Sequence, residues 1–168
     1  MKLILFSIFA ALLLSSFNPA MLHAQTPGEA GIKISGEVSH PFVFKASDLQ
    51  QLNRTEVTRK DKDNKDHIYS GVSLSTLLAK AGVTLGAALR GENLTKYVLA
   101  EASDGYQVAF SLAELDPEFT ERLVIVADKM DGKALAAADG PFRIIVQDEK
   151  KPARCMKQVI SIIIAFAK

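Results

Sequence analysis

The chain has 168 residues, 48% of them hydrophobic, with 20 Lys+Arg against 19 Asp+Glu. That length fits one domain of ordinary size, and the near-balanced charge argues against a general nucleic-acid binder, which needs a basic excess. The single cysteine, Cys155, cannot staple its own chain, so packing must hold the fold.

Lys2, an apolar run over residues 3–17 and the sequence Asn18-Pro19-Ala20-Met21-Leu22-His23-Ala24 follow the three-part plan of a signal peptide. The run is shorter than the roughly 20 residues that span a bilayer. Cleavage is expected after Ala24, with Ala20 the fallback. No cysteine follows the cleavage site and no Arg-Arg pair precedes the run, so the expected route is export of an unfolded, unlipidated chain to the periplasm. Losing residues 1–24 removes Lys2 and no acid, which brings the formal charge to zero and leaves no membrane span. Residues 25–30 read as a flexible N-terminus and 31–168 as the domain.

Ile32, Ile34 and Val38 alternate with polar residues, giving a strand over 31–38, and 41–45 reads as a second. Ser47-Asp48-Leu49-Gln50 has the form of a capping box opening a short helix through Leu52. Residues 54–59 and 67–69 read as paired strands around the charged turn 61–66. Leu74, Leu77, Leu78 and Ala81 share one helix face behind Ser73, and Gly82 ends that helix. Ser103-Asp104-Gly105 signals a hairpin between 96–101 and 106–110. Ser111 and Glu114 form a second capping box, whose helix must stop before Pro117. Strands follow at 122–127, 143–146 and 159–166, with a turn at Asp131-Gly132. Many short strands with three small helices predict a strand-rich α+β domain. The connections are too short for repeated βαβ crossovers.

Much chemistry finds no home in this pattern. His40 and His67 are the only histidines after the leader, and no paired His/Cys spacing suggests zinc. The acids of 61–66 are spaced somewhat like a calcium loop, but Lys65 takes a ligand position and Asp66 stands where glycine is needed, so a solvated turn fits better. No nucleophile elbow, phosphate-cradling glycine loop or dinucleotide fingerprint is present. Asp104, Tyr106 and His67 are candidate acids or bases, though structural roles fit each better. What remains is the late polar segment. Arg143 follows Gly140-Pro141-Phe142, and Lys150, Lys151 and Arg154 surround Pro152. Arginines at strand ends can fork onto a phosphate or carboxylate, and Gly140 would let backbone approach such a ligand closely. A solvated basic loop is the competing reading.

Several segments in order carry a resemblance. Tyr69-Ser70-Gly71-Val72-Ser73-Leu74, with Leu77, Leu78, Ala81 and Gly82 beyond, resembles the Gly-Val-Pro-Leu helix motif of the molybdopterin-binding domain of the sulfite oxidase family. Asp104-Gly105-Tyr106, Asp131-Gly132-Lys133-Ala134-Leu135, the stretch from Gly140 to Val146, and Ala153-Arg154-Cys155-Met156-Lys157-Gln158-Val159 extend it. The chain looks most like small, stand-alone exported members. The resemblance implies layered mixed sheets and a pterin cofactor whose phosphate is held by Arg143 and Arg154, with Gly140 close to it. It also exposes a departure: redox members ligate molybdenum through a cysteine in the segment equivalent to 57–63, and here that segment has none. Cys155 stands on the wrong strand for the metal, so no metal ligand is expected. The expectation is a non-catalytic or accessory binder of a small anionic, pterin-like ligand or of a periplasmic partner protein. No cofactor is firmly expected, molybdopterin entering only through the resemblance. The alternatives are a molybdopterin-dependent oxidoreductase with a non-cysteine ligand, and a domain serving only as a subunit.

Overall fold

A computed structural model describes residues 30–167. The signal-peptide reading of 1–24 and all but Ala30 of the flexible stretch 25–30 lie outside them.

Ten strands form two five-stranded mixed or antiparallel sheets. The first runs β2 (Phe42–Lys45), β1 (Gly31–Gly36), β10 (Val159–Phe166), β5 (Lys96–Ala102), β6 (Gln107–Ser111). Its β1–β10 pair is parallel and the rest antiparallel. The second runs β3 (Thr55–Lys60), β4 (Asp66–Ser73), β7 (Val124–Met130), with the short strands β8 (Lys133–Ala134) and β9 (Arg143–Val146) both pairing with β7. The mixed-sheet, strand-rich architecture expected from the sequence is therefore the one present.

Alternation explains the faces. In β5, Val98, Ala100 and Ala102 point inward between half-buried neighbours, while β9 is buried at all four positions, as befits a strand with both faces covered. Residues of both sheets share one core, with the Phe44 and Phe142 rings 5.7 Å apart. At the bulge after Ser70, β4 passes so close to β7 that a Cβ on Gly71 would lie 2.0 Å from the Val126 carbonyl oxygen. Only glycine fits there.

The helix α1 (Leu74–Lys80) buries Leu74, Leu77 and Leu78. It ends as the glycine foretold: Gly82 has φ +71°, its amide donates to Ala79 O (3.0 Å), and the Val83 amide donates to Leu78 O (3.0 Å). That pair of bonds is a Schellman cap. The other two expected helices are shorter turns. Ala46–Gln51 is 3-10 helix, starting at Lys45, whose amide donates to Asp48 Oδ2 (2.8 Å). The Ser111–Glu114 box does close, by bonds of 2.8 and 3.2 Å, but it seals a turn because Pro117 leaves no room to propagate a helix. Among the described residues α1 is the one α-helix.

Candidate functional site

Arg143, the first residue of β9, is only 3% exposed. Its Nη1 donates to the Tyr69 hydroxyl (2.8 Å) and to Asp61 Oδ2 (3.4 Å), and Asp139 Oδ2 lies 3.7 Å away. The guanidinium carbon sits 5.0 Å from the Tyr69 ring centre, while Nε is buried without an acceptor. Tyr69 reaches this point because alternation along β4 turns it fully into the core. Its hydroxyl donates to Asp61 Oδ2 (2.6 Å). Burial works against ionising Asp61, but the Tyr69 hydroxyl, the Lys62 amide and Arg143 more than offset it and hold the carboxyl at about 2. Burial, then the bond to Asp61, pushes the Tyr69 phenol well above its ordinary range.

A cleft of about 480 Å3 opens beside Arg143, lined also by Lys62, Asp104, Tyr106, Lys151, Cys155 and Lys157. Its walls come from the β5–β6 hairpin, the β3–β4 turn and the loop between β9 and β10. Tyr106 ties hairpin to loop, its hydroxyl donating to Ala153 O (2.9 Å), and Asp104 accepts the Tyr106 amide within the turn (3.0 Å). Gln158 adds a second tie, accepting from the Ser103 hydroxyl (2.6 Å) and donating to Ala137 O (3.0 Å). Four cationic side chains, Lys62, Arg143, Lys151 and Lys157, line this space with Asp104. Asp139 balances two of them from behind, pairing with both Arg143 and Lys157. A cleft of this size, preformed and mainly basic, suits a small anion-bearing ligand.

The two arginines do not meet there. Arg154 lies in the 3-10 turn Pro152–Arg154, where its guanidinium carbon sits 5.2 Å from the Phe110 ring centre and its guanidinium donates to Glu114 (2.9 Å) and Glu149 (2.7 Å). It is absent from the cleft wall. Gly140 also lies outside the wall: a Cβ there would meet Leu135 Cβ at 3.0 Å, so the approach of the 135–136 loop accounts for the glycine. The cations that join Arg143 are Lys62, Lys151 and Lys157. Lys157 was legible in the segment running from Ala153 to Val159, whereas the role of Asp61 was hidden in a turn that reads as solvated.

His67 stands apart from the cleft, its Nδ1 2.6 Å from Asp131 and its Nε2 3.0 Å from Asp63. Asp131 first, then Asp63, raises the imidazole above its ordinary value.

The donor set does not suit thiolate-ligated molybdenum. Cys155 is 4% exposed, and its sulfur accepts the Val146 amide at 3.5 Å. Among the described residues no three His, Cys, Asp or Glu side chains gather as a metal site. The cationic wall, by contrast, suits a phosphate.

Fold and cleft together define a mixed-sheet α+β domain with a preformed basic pocket between hairpin and late loop. The chain belongs to the oxidoreductase molybdopterin binding domain family, whose sequence profile matches residues 22–165. The structure is similar to the sulfane dehydrogenase SoxCD from Paracoccus pantotrophus, with a TM-score of 0.63 and 24% identity over 80% of this chain. The match spans 38% of that chain's length. No curated protein sequence matches.

Proposed function

We propose that this domain is an exported, non-redox binder of a small phosphate-bearing ligand of pterin type, seated in the Arg143–Lys157 cleft. The observation that carries the reading is the pairing of that cationic cleft with a 57–63 segment that offers no thiolate. A soft metal held at one protein ligand needs such a sulfur, while a phosphate needs only the cations. Pterin is chosen over other phosphate carriers because of the family to which the chain belongs. The leader pattern of residues 1–24 supports export to the periplasm.

Mass spectrometry and elemental analysis of protein taken from its native compartment test this. The expected result is a chain beginning at Gln25 without stoichiometric molybdenum; stoichiometric molybdenum would overturn the non-redox reading. In titration with a pterin phosphate monoester, Lys157→Ala should weaken binding about tenfold, since one charge-assisted bond is lost. Arg154→Ala should bind within about twofold of the parent, its guanidinium being committed to two surface acids. Equal losses in both variants would move the ligand out of the cleft.

A further inference from the structure

A second buried arginine lies in β3, the edge strand of the second sheet. Alternation there turns Val57 and Arg59 inward, and Arg59 is 7% exposed. Its Nη1 donates to the Glu149 carbonyl (3.1 Å), but its Nε is buried without an acceptor. Among the described residues no carboxylate pairs with it: the Glu149 side chain is taken by Arg154 (2.7 Å), and Asp61 is turned toward Tyr69 and Arg143. A guanidinium withdrawn from water without a counter-charge costs several kcal/mol. An inward charge on an edge strand can serve to block edge-to-edge pairing, which would explain the charge. It would not explain the surroundings. Arg59 lines a cleft of about 560 Å3 whose rim carries Lys60, Lys62 and Lys150. With Asp61 and Glu149 engaged elsewhere, Asp66 and Asp148 are the acids left to face these four cations.

We infer that this cleft is a second anion site, in which Arg59 and the rim lysines hold a phosphate or sulfate group, either the free anion or the end of a small ester. The site is separate from the Arg143–Lys157 cleft, sharing with it only Lys62 and Pro152. The forked donors of Arg59 supply direction, and the exposed lysines supply attraction.

The test is titration of the exported protein with inorganic phosphate against chloride at matched ionic strength, followed by the Arg59 Nε–H resonance and the thermal midpoint. The Arg59 resonance should shift and saturate, and the midpoint should rise with phosphate. Arg59→Gln should abolish the rise, Lys150→Ala should weaken affinity about fivefold, and Lys157→Ala should leave it unchanged. An Arg59→Gln protein with the parent's phosphate dependence would overturn the inference. If that variant does not fold, Lys150→Ala decides, because it is exposed: unchanged affinity would overturn the site equally. A phosphate response lost in Lys157→Ala instead would place the anion in the other cleft. Methyl phosphate, run in parallel, distinguishes an ester end from the free ion.

Discussion

Tyr69→Phe removes one oxygen from the buried cluster around Arg143, and its effect can be worked out in advance. The hydroxyl gives one bond to the Asp61 carboxylate (2.6 Å) and takes one from Arg143 (2.8 Å). Hydrogen bonds to charged groups are worth about 1.5–3 kcal/mol each. Asp61 and Arg143 already approach to 3.4 Å, so they recover part of the second bond by closing on each other. The net loss at pH 7 should be about 2–3 kcal/mol, which lowers a urea midpoint by about 1 M for a slope near 2 kcal/mol/M. The pH dependence is more telling. Asp61 titrates at about 2 in the folded chain against 3.8 ordinarily, so its ionisation favours folding above 3.8 and that contribution fades as pH falls toward 2. The shift corresponds to about 2 kcal/mol, reduced to about 1 because the carboxylate is partly exposed. In the Phe variant the strongest of the lowering influences is gone while the Lys62 amide and Arg143 remain, so the gap to the parent should narrow by about 0.5 kcal/mol between pH 7 and pH 2.5. Urea unfolding at the two pH values measures both quantities. A variant within about 0.5 kcal/mol of the parent at pH 7, or a gap that does not change with pH, would refute the account.

Two further outcomes follow from the same physics. His67, raised by Asp131 and Asp63, adds stability that is complete below about 6.5 and lost as pH rises through its elevated folded value. Urea midpoints of His67→Gln between pH 5 and 9 should therefore lack an alkaline decline that the parent shows; parallel curves would exclude it. Gly71→Ala puts a methyl 2.0 Å from the Val126 oxygen, so the β4–β7 register must break at a cost of about 3 kcal/mol or more. Soluble, parent-like Gly71→Ala protein would show that the bulge yields more cheaply than the geometry allows.

What could be read from the sequence was local. The hairpin at Ser103-Asp104-Gly105, the glycine that closes α1 and the alternation of β1 are fixed by residues within a few positions, and each formed as expected. Helix lengths failed where a cap was present but neither a long apolar face nor space before Pro117 could carry the helix onward. The site divided similarly. Arg143 was visible as a basic residue entering a strand, but its partners Asp61 and Tyr69 lie 82 and 74 positions away, a distance at which only topology decides contact. Arg154 shows the opposite case. Its composition suggested a ligand arm, yet the turn after Pro152 delivers it to Glu114 and Glu149, and a basic residue cannot advertise in sequence which acids will reach it first.

The segment 57–63 unites these observations. Redox relatives, as the resemblance implies, place a soft thiolate there; this chain places five charged side chains and no sulfur, Arg59 and Asp61 among them. Arg59 lines one cleft, and Asp61 pairs with the Arg143 guanidinium that lines the other. The guanidinium favours an oxyanion, and the carboxylate offers no sulfur to a thiophilic metal. Introducing one cysteine there would therefore not recreate a metal site, since Asp61 would still be bound to Tyr69 and Arg143, and the Arg59 charge would still line the neighbouring cleft. In the proposed reading the change of chemistry is spread over the whole strand and turn. The same two sheets then hold an anion where a relative would carry a redox centre.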